Sequence, residues 1–594
     1  MKNKIIYLTL AFSGLLCACN DWLDPNEYAL LQKDQVFDVS SKVNKMSAGI
    51  YGKIPHATEL GMSAATDEGE MVDNTDPLHA FNNGTWGKYN NPDDIWSSAY
   101  DGIRIAMDLL KESEDTDWEE WKYSNPTKYE QMFRELNMGR AEARFLSAYL
   151  YFELMRRYGE VPLITEKIDL SPDMDLSQFK RNSVAEIMDY ICQQCDIVCQ
   201  EGEWKLSPEQ VEEMTEGGRK HLPAPYRDTL ALAYPTSGEM AAYLGRATKG
   251  SAYALKAKAL VYYASKAFNP ENDMERWKKA AEACKKVLDL PKEYYDLEPN
   301  FANLFTKGQE WSKEFLFVRK MSASNSFERK HVPVSIQGGN TGMCPSQNLV
   351  DAFEVLIKDD AGKVIGCEPF DWQNEEHKTA PYANRDPRMA VTVYHHGDKY
   401  TNEEQYFIVL NCAVGGNAGP DLYHGSKTGY YLGKYVNTTL HLRNNKTAPK
   451  TWMLMRMADF YLLYAEAMNE YYGPNNPGEF GMTALEALNK IRTRAGMPEV
   501  NPRTKEQMRE AVYHERQVEL AFENQRWWDV RRWKYGQLFN SPLRGVEVVN
   551  HEDGTTTFAP KIVEERVFDE SKMYLYPIPQ SEVDKGGLEQ NINW

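Results

Sequence analysis

Histidine is scarce in this chain, 11 residues in 594, and cysteine is scarcer still at 9. So few soft ligands, scattered along the sequence, argue against a zinc-ribbon or disulfide-dense scaffold. Cations are also in deficit: 68 Lys and Arg against 87 Asp and Glu give a net charge of −19. That sign repels phosphate backbones and argues against a nucleic-acid partner. Long hydrophobic runs are absent except at the start, so the chain is not a multi-span membrane protein. Also missing are a Gly-rich phosphate loop, a nucleophile elbow and a His-Glu-x-x-His zinc helix. Gly415, Gly416 and Gly419 mark a loop, and the adjacent His395 and His396 cannot share one face of a helix or strand. A glycosidase needs two carboxyls at a set separation across a cleft. Acidic pairs such as Asp67-Glu68 and Asp93-Asp94 arise by chance among 87 acidic residues. No catalytic residue, no cofactor and no metal site is therefore expected.

What is present begins at the N-terminus. Lys2 and Lys4 precede an apolar run from Ile5 to Leu16 that ends in Leu16-Cys17-Ala18-Cys19. The run is too short to span a bilayer and reads as an export signal over residues 1–18. Its last residues resemble a bacterial lipobox, which makes Cys19 the acylated first residue of a lipid-anchored body, 19–594. Cys192, Cys195 and Cys199 follow Val184, Ile187 and Ile191 at helical spacing, the pattern of a buried helix face.

Helical periodicity dominates the rest. Ala141, Phe145, Ala148, Phe152 and Met155 form one apolar stripe, closed by Gly159 and Pro162. A pair of helices is expected over Ser251–Phe268 and Trp277–Leu290, and another over Met453–Tyr471 and Ala484–Arg494. Small-residue seams in such pairs are what tetratricopeptide-like hairpins need. The predicted fold is mainly α, a scaffold of such hairpins with long loop insertions and minor β, including a strand at Phe315–Arg319. The long loops are Asp67–Asp94, His331–Pro345, Asp371–Pro387 and Asn411–Tyr435. Loops of this length inside a compact protein are commonly functional, and the binding surface is expected there.

Several blocks in order resemble the SusD/RagB family of outer-membrane lipoproteins: Arg140–Leu146 running on to Tyr158-Gly159-Glu160-Val161-Pro162, Ala254–Ala259, Arg456-Met457-Ala458-Asp459, Asn489–Gly496, Glu515–Trp533 and Tyr576-Pro577-Ile578-Pro579, with the loop Asn384–Arg388. The resemblance implies a single body with an N-terminal part over about 19–240 and a C-terminal part over about 241–594. It implies a non-enzymatic glycan-capturing protein on the outer membrane, lipid-anchored and facing outward, that delivers oligo- or polysaccharide to a SusC-like TonB-dependent transporter. Peptide capture on the same scaffold and a surface hydrolase are the alternatives.

Sugar recognition needs flat aromatic faces flanked by polar side chains. Trp86, between Gly84 and Gly87, is the first candidate platform, with Asp67, Glu68, Asn83 and Tyr89 in the same stretch. Trp311, Trp372, Tyr382 and Tyr423 are the candidates elsewhere. Glu515, Glu519 and Glu523 recur every fourth residue beside Arg516 and Arg526, a pattern that reads as structural ion pairing.

Overall fold

A computed structural model describes residues 40–55, 60–116, 118–169, 174–215, 224–232, 245–305, 311–401 and 407–594. The apolar leader and Cys19 lie outside these residues. Ten helices carry the frame: α1 (Ser40–Tyr51), α2 (Trp96–Glu112), α3 (Pro126–Tyr158), α4 (Val184–Cys199), α5 (Lys249–Ala264), α6 (Met274–Leu288), α7 (Met457–Tyr472), α8 (Ala484–Arg494), α9 (Lys505–Glu519) and α10 (Arg526–Arg532). Neighbours in sequence pack side by side: α2 on α3, α3 on α4, α4 on α5, α5 on α6, α6 on α7 and α7 on α8.

Local chemistry sets the ends of these helices. Pro126 opens α3 at a position where its missing N–H costs nothing, and the Asn125 side chain accepts from the Lys128 N–H. Gly159, at φ 74°, closes it. Ser183, Thr248, Thr483 and Thr504 each form a reciprocal capping box. The expected α3 stripe is fully buried from Ala141 to Met155. Alanines at Ala254, Ala257, Ala280 and Ala281 let α5 and α6 approach closely. One boundary differs from expectation. Residues 448–456 form a strand and the helix begins only at Met457, because Trp452, Met453 and Met455 pair with Arg319, Val318 and Phe317 of the strand Phe315–Ser324.

The described strands form six two-stranded antiparallel sheets. Besides the pair just named, they include Gly69–Met71 with Met343–Pro345 and the hairpin Leu543–Asn550 with Thr556–Glu564. These small sheets and the long loops surround a second hydrophobic core, centred on Phe315, Leu349, Phe353, Tyr430, Tyr431, Trp452 and Phe522, beside the larger helical core.

A buried ionic seam joins the two. From the helical side come Glu515 and Glu519 of α9, followed by Glu523. Arg388 of the Asn384–Arg388 loop bonds Glu515 and Glu519 (2.9 Å to the latter). Arg456, at the end of its strand, bonds Glu314 (2.6 Å), Glu519 (2.7 Å) and Glu523 (2.6 Å). Lys434 reaches Glu523 at 2.8 Å. Burial pushes the Glu519 carboxyl up, but Arg494, Arg456 and Arg388 outweigh it and hold the group well below the usual carboxylate range. The four-residue glutamate repeat is thus structural, as expected from its spacing. The seven described cysteines are free, and burial raises the thiols of Cys192, Cys195 and Cys199.

Candidate functional site

The glycine-rich segment 411–427 is built to hold one shape. A side chain on Gly416 would collide with the Asn411 carbonyl, and one on Gly425 with the Gly419 carbonyl, so only glycine fits. Asn411 N–H donates to Asn417 Oδ1 (2.8 Å), Asn417 Nδ2 to the Val409 carbonyl (2.9 Å), and Gly415 N–H to Asp421 Oδ1 (2.9 Å). The Tyr431 hydroxyl donates to the buried Ala418 carbonyl at 2.9 Å, which ties the segment to the second core.

At its crest stands Tyr423, 84% exposed. The ring stacks on His424 with centroids 4.1 Å apart and planes 20° from parallel. One face is therefore supported and the other is open. His424, itself at φ 58°, hydrogen-bonds through Nδ1 to Asn340 Oδ1. Lys427 Nζ donates to Asn74 Oδ1 at 2.6 Å. Three of the four long loops expected from the sequence thus meet at 424–427: Asn340 of 331–345 on His424 and Asn74 of 67–94 on Lys427 of 411–435. Asp73 lies in the same neighbourhood. Thr75 donates to its Oδ1 through N–H (2.9 Å) and hydroxyl (2.7 Å), and these bonds hold its carboxyl below the usual range. Beside the ring stands the His424 imidazole, with the Asn340 amide bonded to it and the Asp73 carboxylate near enough to feel its charge.

The other expected site residues fall elsewhere, and several are corrected. Trp86 is 3% exposed, not an open platform. It sits in an aromatic cluster, 4.9 Å from Phe81, 5.2 Å from Tyr576 and 4.7 Å from Trp594, because these rings, two of them from the C-terminal segment, offer it an apolar niche. Asp67 is an ion-pair partner of Arg526, bonded twice at 2.8 and 2.9 Å. Glu68 is buried and accepts from the Phe522 N–H at 3.2 Å; burial pushes its carboxyl up to about 8. Both acids anchor the loop 67–94 from below and face away from solvent. Asn83 is exposed, yet its side chain is a turn former, accepting from Thr85 N–H (3.1 Å) and hydroxyl (2.6 Å). Trp311 packs half-buried on the helical core. Trp372 donates Nε1–H to Asp351 (3.2 Å) with its ring edge-on to Phe370. Tyr382 is face-stacked on His395 at 3.8 Å and meets Phe558 edge-on, so both sides of its ring are engaged. Tyr89 is 81% exposed in a separate cleft. Sequence reasoning chose Tyr423 but missed His424, Asn340 and Lys427. The glycines at 415, 416, 419 and 425 mark the loop that carries His424 and Lys427, but no local pattern signals Asn340, which reaches His424 from 84 positions away.

Among the described residues no group of three His, Cys, Asp or Glu is placed to hold a metal ion. No described helix is long and apolar enough to cross a membrane.

Comparison with known proteins identifies the scaffold. Residues 301–594 match the model of the SusD family, and residues 21–199 match a second SusD-like model, described as starch-binding associating with outer membrane. The chain belongs to the SusD/RagB family. Among its SusD-like relatives, protein P2 of Formosa agariphila is 24% identical, with 98% of this chain and 97% of that protein aligned. A solved SusD-like protein of Bacteroides fragilis superposes with a TM-score of 0.73 at 23% identity, covering 94% of this chain and 98% of the other. A SusD-like protein described as laminarin binding superposes at 0.58 with 18% identity, over 93% and 99% of the two chains. The hairpin scaffold with loop insertions is the architecture shared with these SusD-like structures.

Proposed function

We propose that this SusD-like protein captures oligo- or polysaccharide on the Tyr423 face and delivers it to a SusC-like TonB-dependent transporter, held to the outer membrane by acyl chains on Cys19. The observation that carries the reading is the Tyr423 ring: stacked on His424 on one side, open on the other, with the Asn340 amide bonded to that imidazole. A pyranose presents an apolar C–H face and a rim of hydroxyls, so it fits such a ring with its polar collar. The described match to starch-binding outer-membrane proteins and the laminarin-binding relative support the same ligand class. A single exposed ring gives a weak site, and tethering beside a transporter raises the effective concentration enough for weak capture to feed import.

Chemistry at the face also favours binding over hydrolysis. A general acid needs a raised carboxyl at the surface, whereas the raised ones at the base of the 67–94 loop, Glu68 and Glu70, are 1% and 4% exposed. Peptide capture would be served by a slot with an open strand edge; Tyr423 stands instead on a crest. The test is calorimetric titration of residues 20–594 with soluble starch, laminarin and a panel of other polysaccharides, beside Tyr423→Ala. A saturable signal with unchanged ligand mass, weakened about tenfold or more in the variant, is expected. Silence toward every polysaccharide with binding of peptide digests overturns the reading.

A further inference from the structure

A second exposed tyrosine stands over a cleft that shares no lining residue with the Tyr423 face. The segment 87–94 and the C-terminal segment 577–581 enclose about 300 Å³ between them. Pro577 and Pro579 make one wall stiff, and Gln580 N–H bonds the Lys88 carbonyl (3.1 Å), which fixes the two segments together. Tyr89, 81% exposed, rises at the edge with the Lys88 ammonium 5.6 Å from its ring centre.

The lining is polar and already oriented. Asn90 Nδ2 is held by the Thr85 carbonyl at 3.0 Å. Asn91 Oδ1 accepts from Asp93 N–H (3.1 Å), while its Nδ2 is shielded from solvent and meets no acceptor. Asp94 Oδ1 takes the Trp96 N–H (3.0 Å) and the Tyr158 hydroxyl (2.6 Å), leaving the other carboxylate oxygen for a ligand hydroxyl. On the far side Gln580, whose Nε2–H donates to Asp584 (2.8 Å), offers its amide oxygen, and Ser581 adds a hydroxyl. One ammonium and one carboxylate balance, and no guanidinium is present to prefer phosphate or sulfate. An open aromatic ring, neutral amides and a hydroxyl around a cleft of this size match a neutral sugar ring.

We infer that this cleft is a second carbohydrate subsite, taking a neutral glycan unit on Tyr89 with Asp94, the Gln580 amide oxygen and Ser581 bonding its hydroxyls. The inference rests on the glycan reading of the Tyr423 face. Two subsites on one body let a polysaccharide engage both at once, which strengthens long chains over short ones without any new contact.

The experiment titrates wild type, Tyr89→Ala, Tyr423→Ala and the double variant with hexasaccharides of starch and laminarin and with the parent polysaccharides. Ser581→Trp, which fills the cleft from an exposed position, is run as a second block, and thermal unfolding checks every variant. Two hexasaccharides per wild-type chain, one for each single variant and none for the double are expected, with polysaccharide affinity about tenfold lower in Tyr89→Ala and in Ser581→Trp. If both cleft variants keep the wild-type stoichiometry and polysaccharide affinity while Tyr423→Ala loses binding, the second subsite is overturned and the Tyr423 reading stands. Loss of all binding in Tyr89→Ala with none in Tyr423→Ala upholds the cleft and overturns the other face. A wild type silent toward both glycans overturns the inference.

Discussion

The helical frame and the loop lobe bury their surfaces by different means. In the frame, Ala, Leu, Phe and Tyr at helical spacing meet across small-residue contacts, and each helix satisfies its own backbone. In the lobe, the two-stranded sheets satisfy few backbone groups, so the chain is held by side chains: Asn411, Asn417 and Asp421 within the crest, Arg385 on the Val350, Phe353 and Pro381 carbonyls, and Arg566 on those of Thr66 and Gly69. A loop fixed by its own side chains can change its crest without disturbing the helices. That division leaves the lobe, where we propose recognition, free to vary while stability rests in the frame and seam.

The comparison breaks most sharply at the seam. Glu519→Ala leaves Arg388, Arg456 and Arg494 buried with one carboxylate fewer. A loss of about 3–5 kcal/mol is expected, seen as a large drop in the unfolding midpoint of frame and lobe together. A separate, unchanged transition for the frame would show the lobe to be an independent unit. Because the folded-state value of Glu519 is depressed, its contribution is present above the usual carboxylate range and is lost as pH falls below it.

Trp86→Ala comes next. The ring packs against Phe81, Tyr576 and Trp594, so the substitution is expected to cost about 3 kcal/mol of stability by leaving a cavity. A variant of wild-type stability that has lost only glycan binding would restore Trp86 as a ligand platform.

Glu68→Gln tests the acids beneath the loop. Burial raises the Glu68 carboxyl from 4.5 to about 8, so the unfolded chain gives up this proton first and the group grows steadily more unfavourable as pH rises across that window. The neutral isostere is expected to stabilise by about 2 kcal/mol at pH 8 and hardly at all at about pH 4. Denaturant unfolding at the two pH values reads this, and a pH-independent effect would contradict it.

The smallest stability effect belongs to the most exposed ring. Tyr423→Ala is expected to change the unfolding free energy by less than about 0.5 kcal/mol while glycan affinity falls. Equal loss of both would make Tyr423 part of the lobe's packing.

The sequence by itself determined the frame. Periods such as Ala141-Phe145-Ala148-Phe152 report which face is buried, and Pro126, Gly159 and the capping boxes report where helices end, because both are local properties of the chain. The repeat Glu515, Glu519, Glu523 was legible as structural for the same reason. The proposed ligand surface was legible only as a set of loops. Trp86 and Tyr423 look alike in sequence, each an aromatic in a glycine-rich stretch, yet one is 3% exposed and the other 84%. Which way each points was decided by distant residues: Tyr576 and Trp594 draw Trp86 inward, while Asn340 and His424 prop Tyr423 outward. Asp67 and Glu68 turned inward likewise because Arg526 and the Phe522 N–H, more than 450 positions later, wait for them. Burial of a loop side chain depends on contacts between segments far apart in the chain, and only the tertiary structure supplies them.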